Sequence, residues 1–538
     1  MDILSGMKAM AGRVTRRIGS GATVSGGTGA ARTAAAMAWL RRRRLGRLPI
    51  KMPLGAGLDP NEINPRTGEP MPAQGILFLG HDERGQEIWL SDGDVRQHVL
   101  VMGTAGAGKS EALLGMAANA LSQGSGFIFV GHGDPSIYAG VFALCHKFGR
   151  TKDLLHLNFM SGSGPAGRHA RPSHRINPLA SGSPDALVQI FIAMMDDTGG
   201  DVWIWKGRAV AMLTAVVHAL CELRDRNDLI LDAGVLRDHM GIGSIVRLMD
   251  DARISERTRR SLRAYLCSLS GFQEDRGTSQ SAMTVDQHRY VEMHFMRMFG
   301  CLADAYGHIF SAGSGDIDMA DVVLNRRILV VSLPSLEKSG AEGAIPGCMA
   351  VALLKGMMAS ALGSKCDGDW QAIVENLPTR ADRPYTVILD DVGYYAVDGM
   401  ALMAAQARSA GVSMVYGSQH LLDMGRLGMG KAQSIIAHAN TKLFMRTEDP
   451  DTVDLAVNLA GGHRGTGAGE ARMLANGLRR AMPGEARLLH AGKSLHMRTL
   501  RGAVDDTELR SLKIRLPTLV SAVADGDGED SVCEAGDL

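Results

Sequence analysis

The segment that most constrains the fold of this chain is residues 103–110, which read Gly-Thr-Ala-Gly-Ala-Gly-Lys-Ser. An apolar run at 99–102 precedes it and an alanine- and leucine-rich stretch follows, so the pattern predicts strand, loop and helix in that order. Glycines in such a loop turn backbone N–H groups inward, and the helix N-terminus adds partial positive charge. The sequence therefore predicts a phosphate-binding loop for ATP and Mg2+.

The side chains of this loop have separate predicted roles. Lys109 is expected to reach the terminal phosphates, and the hydroxyl of Ser110 to bind Mg2+. The expected nucleotide contacts are Gly103, Thr104, Ala105, Gly106, Ala107, Gly108, Lys109 and Ser110. A second Gly-Lys-Ser triplet, at 492–494, has Arg487 in place of the upstream glycine, and we predict a tight turn there.

Hydrolysis of a nucleotide needs a second site, in which one carboxylate holds the metal and another orients the attacking water. The run 385–391 reads Tyr-Thr-Val-Ile-Leu-Asp-Asp and places two carboxylates directly after an apolar strand. Asp390 is the predicted metal-side carboxylate, and Asp391 is the predicted base. Alone, this pattern would favour a plain acidic turn, but together with the phosphate loop it favours an ATPase.

Two later polar residues are further candidates. Gln419 follows a predicted strand at 413–416, where an amide can sense the γ-phosphate or align water. Arg408 ends a predicted helix; ring-shaped ATPases place such an arginine across the subunit boundary, and it is worth ~10³ to 10⁵ in rate. From spacing alone, an arginine that only satisfies helix-terminal carbonyl groups is slightly favoured.

Strand and helix patterns alternate along most of the chain, which predicts an α/β fold with a parallel central sheet covered on both faces. We predict strands at 99–102, 127–130, 154–159, 328–333, 386–389, 413–416 and 443–445, helices at 109–121, 343–362, 398–408 and 452–459, and an edge hairpin at 486–490 and 495–500. The stretch 199–310 instead shows helical spacing, which predicts an inserted all-α domain. Its methionine-rich run at 290–299 is predicted to pack in the core rather than to line a binding groove.

These patterns divide the chain into five segments. They are a basic flexible N-terminal segment (1–74), a first nucleotide-binding part (75–198), the all-α insertion (199–310), a second nucleotide-binding part (311–515) and an acidic tail (516–538). Residues 1–51 carry eleven Lys and Arg against one acid, so contact with nucleic acid or anionic lipid is as well supported as a solvated leader. The tail carries six acids and no base, which favours disorder over a docking role.

Composition excludes several other classes of protein. Seven scattered cysteines without a Cys-x-x-Cys pair argue against disulfides and zinc, and indicate a reducing, cytoplasmic location. We find no run of about 20 apolar residues and expect no transmembrane helix. The chain lacks His-Glu-x-x-His, and its low aromatic content of 5% disfavours a base-stacking platform, so DNA binding would depend on phosphate contacts.

The ordered series of motifs resembles the type IV secretion coupling proteins, especially the IcmO/DotL and plasmid TrbC branch. Besides the loop and the paired aspartates, the resemblance rests on Gly-His-Gly-Asp-Pro-Ser at 131–136, Asn-Pro-Leu at 177–179, the run 325–339, Leu-Asp-Asp-Val-Gly-Tyr-Tyr at 389–395 and Asn-Thr-Lys at 440–442. It covers residues 75–500, most of the chain, and is far more specific than a phosphate loop alone.

The resemblance implies a RecA-like P-loop ATPase with an all-α insertion, assembled as a homo-hexamer at the cytoplasmic face of the bacterial inner membrane. Such proteins use ATP to deliver relaxase-bound single-stranded DNA or protein cargo to the membrane components of a type IV secretion or conjugation channel. It also implies the phosphate and Mg2+ roles for Lys109 and Ser110, the acidic roles for Asp390 and Asp391, the sensor role for Gln419 and the finger role for Arg408.

The chain departs from the family pattern at three places. Family members usually carry Asp-Glu where this chain has Asp390 and Asp391, which leaves the base assignment open. They usually begin with transmembrane helices, for which this chain has a basic leader, so we expect a separate membrane-anchoring partner. The long C-terminal extension of some relatives is also missing.

Two alternative functions remain open. One is a double-stranded DNA-translocating motor of the chromosome-partitioning kind, although 501–538 is too short for the DNA-reading domain such motors carry. The other is a recruitment platform that binds nucleotide but turns it over little.

Overall fold

One large mixed sheet organises the part of the chain that the structure describes. The structure is a computed structural model that describes residues 58–63, 66, 70–72, 75–160, 173–195, 202–310, 313, 315–337, 340–362, 369, 383–397, 399–425, 428–461, 468–502 and 506–515. The basic run at 1–51 and the acidic tail at 516–538, for which we predicted interaction or disorder, lie outside these residues.

The strands are numbered in chain order. They are β1 (Leu58–Ile63), β2 (Pro70–Pro72), β3 (Leu77–Asp82), β4 (Glu87–Leu90), β5 (Val99–Met102), β6 (Phe127–His132), β7 (Leu154–Asn158), β8 (Ile328–Leu333), β9 (Tyr385–Leu389), β10 (Val412–Ser418), β11 (Thr441–Met445), β12 (Glu485–His490) and β13 (Lys493–Thr499). Eleven of them form one sheet in the order β4-β3-β13-β12-β11-β5-β10-β9-β6-β8-β7, and β1 pairs with β2. The N-terminal segment 1–74, which we predicted to be flexible, therefore contains a short antiparallel pair.

The central strands β5 to β11 run parallel to one another. Their residues are buried with few exceptions, as expected for strands that helices cover on both faces. All seven predicted parallel strands are confirmed, and with them the α/β fold class.

The C-terminal hairpin does not close an edge of the sheet, as we had predicted. β13 pairs with β3, and β3 pairs with β4, so two strands from early in the chain extend the sheet beyond the hairpin. The turn of the hairpin consists of Ala491 and Gly492, both with positive φ, a pairing typical of type I′ turns. Lys493 and Ser494 are the first residues of β13, so only the start of the second Gly-Lys-Ser triplet lies in the predicted turn.

The helices are likewise numbered in chain order. They are α1 (Asp92–Val95), α2 (Lys109–Ser122), α3 (Pro135–Lys147), α4 (Pro184–Ala193), α5 (Val202–Asp225), α6 (Ala233–Asp238), α7 (Ile242–Asp250), α8 (Glu256–Cys267), α9 (Ala282–Phe299), α10 (Gly307–Phe310), α11 (Met319–Leu324), α12 (Gly340–Ala361), α13 (Met400–Gln406), α14 (Leu421–Gly425), α15 (Met429–His438), α16 (Pro450–Leu459), α17 (Ala468–Arg480) and α18 (Asp506–Ser511). Between β7 and β8 the described residues form α4 to α11 and no strand. This helical run extends beyond both predicted limits of the insertion, and the division into domains stays a prediction.

The methionine-rich part of α9 does not pack in the core as a whole, so that prediction was wrong. Met298 and Phe299 are buried, but Tyr290, Met293 and Met296 are 59%, 66% and 55% exposed. The inward face of α9 is made by other residues three and four positions apart, which turns these three side chains toward solvent.

Helix α12 corrects the expectation that no segment could span a membrane. Residues Glu342–Ala361 have a mean hydropathy of 1.5 and are long and apolar enough for a span by length and composition. More than half of this segment, 56%, is buried inside the protein, where α12 packs against β8 and α4. Core helices of globular proteins show the same composition.

Candidate nucleotide-binding site

The phosphate loop connects β5 to α2, in the predicted order of strand, loop and helix. Gly108 is the N-cap of α2 and has a left-handed backbone, with φ 95° and ψ 15°. A side chain at this position would be strained, and its Cβ would lie 2.9 Å from the backbone nitrogen of Gly484. The position therefore requires glycine both for its conformation and for its close neighbour.

Two other parts of the chain hold the loop in place. At the end of β11, the carbonyl oxygen of Arg446 accepts hydrogen bonds from the Thr104 N–H (3.0 Å) and hydroxyl (3.1 Å). Just before β12, the N–H of Gly484 donates to the carbonyl oxygen of Ala107 at 2.9 Å. The loop is therefore fixed from two sides by backbone contacts.

Four of the predicted catalytic and metal-binding residues meet beside this loop. The Nζ atom of Lys109 lies 3.0 Å from Oδ1 of Asp390 and forms a second ion pair with Oδ1 of Asp391. Oδ2 of Asp391 accepts a hydrogen bond from Nε2 of Gln419 at 2.9 Å and lies 2.6 Å from Nε2 of His132. Because an ionised carboxylate can only accept, His132 donates through its Nε2–H.

Burial and charge set the protonation of this cluster. Burial raises the pKa of the Asp390 carboxyl, and Lys109 only partly opposes this effect. Burial would also raise the pKa of Asp391, but the hydrogen bond from His132 and the charge of Lys109 hold that pKa well below its usual range. Burial would lower the pKa of Lys109, yet the two carboxylates raise it above its ordinary value. Lys109 and Asp391 are therefore both charged at neutral pH.

The surroundings of Asp390 fit a metal-binding role. Asp390 follows β9, and glycines of both neighbouring strands lie beside it. A Cβ on Gly417 of β10 would lie 2.8 Å from Oδ1 of Asp390, and one on Gly131 of β6 would lie 3.5 Å from its Cβ. The buried carboxylate and the hydroxyl of Ser110, next to Lys109, are the oxygen ligands that Mg2+ prefers, with waters and phosphate oxygens for the remaining positions. The residues present therefore fit Mg2+.

Asp391 has an unusual backbone for a residue other than glycine, with φ 50° and ψ 51°. Such a left-handed conformation is uncommon and clusters at functional sites. It directs the chain into the short helical turn Val392–Tyr394 immediately after the aspartate.

The structure does not bring Arg408 to this cluster. Arg408 is exposed just after α13, before the start of β10, whereas Gln419 follows the end of the same strand. Since β10 has seven residues, its ends are about 20 Å apart. Within one chain, Arg408 is therefore remote from Lys109, and its predicted finger role requires a neighbouring subunit.

Two residues at the site were missed at the level of sequence. His132 ends β6 and reaches Asp391, and Arg446 follows β11 and supports Thr104 through its carbonyl oxygen. The guanidinium of Arg446 also lies near the loop, because a Cβ on Gly106 would be 3.7 Å from its Nη2 atom. His132 ends one parallel strand and Arg446 follows another, and the carboxyl ends of these strands lie at the same edge of the sheet as the phosphate loop. A polar residue at the end of a predicted strand was therefore the signal that could have found both.

The parallel sheet with a phosphate loop after one strand is the fold of the P-loop NTPases. The chain is similar to a solved structure of the bacterial conjugative coupling protein TrwB in an unbound form, with a TM-score of 0.53, 15% identity, and coverage of 88% of this chain and 91% of that one. It is also similar to the plasmid coupling protein TrwB in complex with a non-hydrolysable GTP analogue, with a TM-score of 0.51, 17% identity, and coverage of 76% and 86%. At these identities the likeness concerns the fold.

A sequence comparison is more specific. The chain is 39% identical over 438 residues to the type 4 coupling protein DotL of Legionella pneumophila, a match that covers 77% of this chain and 56% of that relative. The comparison confirms the resemblance to the type IV coupling proteins that the motifs indicated. This chain spans about half the length of DotL. No protein-family model matches the sequence.

Proposed function

We propose that this protein is an ATP-hydrolysing coupling protein that delivers substrate to a type IV secretion or conjugation channel. The observation that carries the proposal is the convergence of Lys109, Asp390, Asp391 and Gln419 at one phosphate loop. The similarity to a coupling protein supports the coupling role, and the site supports nucleotide hydrolysis.

In this proposal, the chain's own residues prepare the site for an incoming nucleotide. Lys109 exchanges its carboxylate partners for the terminal phosphates, since it lies at the start of α2 and already faces the site. This exchange releases Oδ1 of Asp391 to accept a proton from water, while Gln419 stays bonded to Oδ2. Ser110 and Asp390 would hold Mg2+, which would supply positive charge against the charge that develops on the phosphates.

The cargo and assembly follow from the same proposal. We infer relaxase-bound single-stranded DNA or protein as cargo, a homo-hexamer as the working form, and a location at the cytoplasmic face of the inner membrane. Contact with the membrane components of the secretion system, through a separate anchoring partner, completes the proposal. The exposed position of Arg408, remote from its own phosphate loop, supports a ring in which neighbours share a site.

An ATPase assay on the purified full chain tests the enzymatic part. We expect Mg2+-dependent hydrolysis that Lys109→Ala abolishes, while Lys493→Ala, which changes the exposed lysine of the second Gly-Lys-Ser triplet, hydrolyses ATP at the parent rate. Hydrolysis of ATP by Lys109→Ala at the parent rate would show that the phosphate loop is not the hydrolytic site. A parent protein that binds substrate but never hydrolyses ATP would favour the recruitment platform instead.

Co-purification tests the coupling part. A tagged Lys109→Ala variant, isolated from cells with and without nuclease treatment, should retain a type IV membrane component together with cargo. Cargo lost on nuclease treatment would be DNA, and cargo kept would be protein. Recovery of neither membrane component nor cargo would contradict the coupling role, and strong stimulation by linear double-stranded DNA would favour the chromosome-partitioning type of motor.

A further inference from the structure

His132 is a polar side chain of the nucleotide site that contacts Asp391 directly but has no role in the mechanism above. It is the last residue of β6, the strand next to β9, and its Nε2 atom lies 2.6 Å from Oδ2 of Asp391. The imidazole ring also contacts the ring of Tyr394, with centroids 5.7 Å apart. Tyr394 belongs to the turn that follows Asp391, so the histidine touches both the aspartate and the segment behind it.

The hydrogen bonds of Asp391 divide between its two carboxylate oxygens. Oδ1 is bonded to Lys109, whereas Oδ2 accepts from His132 and from Gln419. The two donors to Oδ2 lie at the ends of the two strands that flank β9, since His132 ends β6 and Gln419 directly follows β10. When Lys109 turns to the phosphates, these two donors still determine the orientation of the carboxylate.

This arrangement matters because the side chain is short. Asp391 has one methylene group fewer than glutamate, so a small rotation carries its free oxygen away from an attacking water. A misplacement of about 1 Å at a reacting group can cost about 10²-fold in rate. A donor on each side of Oδ2 limits that rotation.

We propose that His132 is a positioning residue for hydrolysis, which holds Oδ2 of Asp391 so that Oδ1 faces the attacking water. The inference rests on the proposed ATPase function and adds a residue to it. The proton of Nε2 stays on His132 throughout. The other ring nitrogen, Nδ1, is buried and bonds to no group in the described part of the protein, so the ring is held through Nε2.

Two polar variants of similar size test the proposal. In His132→Gln the side-chain amide nitrogen takes the place of Nε2 and still donates to Asp391, whereas in His132→Asn the amide nitrogen falls at the Nδ1 position. We expect His132→Asn to lower kcat for ATP between about 10-fold and 10²-fold, with KM and the Kd of a fluorescent ATP analogue within about twofold of the parent. His132→Gln should retain kcat within about threefold.

A double variant separates positioning from an effect on the fold. If His132 acts through Asp391, then His132→Asn adds no further loss of kcat to Asp391→Asn. A multiplicative loss in the double variant would overturn the proposal. His146→Ala, a change at an exposed histidine of α3, is the matched control and should keep the parent kcat.

The remaining outcomes separate this inference from the proposed function. If Lys109→Ala is inactive but His132→Asn hydrolyses ATP at the parent rate, the positioning role is wrong and the ATPase assignment stands. If His132→Asn raises KM and leaves kcat unchanged, His132 acts on nucleotide binding and the proposal is also overturned. If the parent protein does not hydrolyse ATP at all, both proposals are wrong.

Discussion

The ammonium group of Lys109 lies 3.0 Å from Oδ1 of Asp390, in the position from which it would serve a nucleotide phosphate. Both side chains are only 8% exposed, and Asp391 bonds to the same ammonium group. The lysine therefore forms ion pairs with two buried side chains at once. The proposed catalytic role of Lys109 and a structural role therefore fall on one side chain.

Replacement of Lys109 by alanine should therefore affect stability as well as turnover. Removing one partner of a buried ion pair leaves an uncompensated charge and costs about 3 to 5 kcal/mol. We expect Lys109→Ala to melt at a clearly lower temperature than the parent when both are free of nucleotide. Differential scanning calorimetry measures the difference, and Lys493→Ala should melt like the parent.

The kcat of Asp391 variants should depend on whether a proton acceptor remains at this position. Asp391→Asn removes the carboxylate and should lower kcat by about 10² to 10⁴. Asp391→Glu keeps a carboxylate but places it one methylene further along, so its kcat should lie between those of the parent and Asp391→Asn. Steady-state kinetics with ATP gives the order, and an asparagine variant with parent activity would exclude Asp391 as the base.

A single methyl group at Gly417 should disturb the predicted metal site. The added Cβ would lie 2.8 Å from Oδ1 of Asp390, so the carboxylate or β10 must move. We expect Gly417→Ala to need a higher Mg2+ concentration for half-maximal hydrolysis. In Gly430→Ala, the matched control on α15, the new Cβ meets no atom within 4 Å. Equal Mg2+ dependence of the two variants would argue against Asp390 as a metal ligand.

The pH dependence of stability should include a contribution from His156. Burial lowers the pKa of this histidine to about 3, and His174 adds to the effect, while the unfolded chain has a pKa near 6.5. The neutral ring is therefore favoured in the folded state. The stability that His156 contributes by staying neutral is fully present above about pH 6.5. As the pH falls from there toward 3, the free energy of unfolding decreases by up to about 1.4 kcal/mol per pH unit.

Urea unfolding at pH 7.5, 6.5, 5.5 and 5.0 measures this effect. We expect the parent to lose stability faster than His156→Gln as the pH falls below about 6.5, because glutamine has no proton to gain. His146→Gln, at the exposed histidine of α3, should follow the parent. Parallel curves for the parent and His156→Gln would mean that His156 is not held neutral by folding.

Mixed assemblies test the role of Arg408. If Arg408 acts on the nucleotide of a neighbouring subunit, then Arg408→Ala and Lys109→Ala should each be inactive alone but regain part of the activity when mixed. The reason is that a mixed ring contains interfaces with an intact arginine facing an intact lysine. If mixtures stay inactive although light scattering verifies co-assembly, Arg408 does not act on a neighbouring nucleotide. Its role would then be only to satisfy the carbonyl groups at the end of its helix.

The elements around the nucleotide site were predictable because their signals are local. The loop at 103–110, its flanking strand and helix, and the aspartates after β9 each follow from a short run of residues. The partnership of His132 with Asp391 was not predictable in this way. It depends on β6 and β10 lying on either side of β9, and this strand order is set by packing of the whole sheet.

The face of α9 shows a different limit. Helical spacing correctly groups residues on one side of a helix, but it cannot say whether another element covers that side. Tyr290 and Met293 form an exposed face because the core contacts of α9 are made elsewhere on its circumference. The early strand β3 was missed for a similar reason, since its partner β13 is more than 400 residues away in the sequence.

The backbone hydrogen bond between Gly484 and Ala107 has a consequence for folding during translation. A nascent chain that has emerged as far as β11 already carries every predicted catalytic residue, but its phosphate loop lacks the backing that the last hairpin provides. Strands β3 and β4 precede the loop in the chain but join the large sheet only through β13, so they cannot join it until β13 has been made. The phosphate loop therefore gains its full set of backbone contacts only after Gly484 has been made and the hairpin of β12 and β13 has paired with β11.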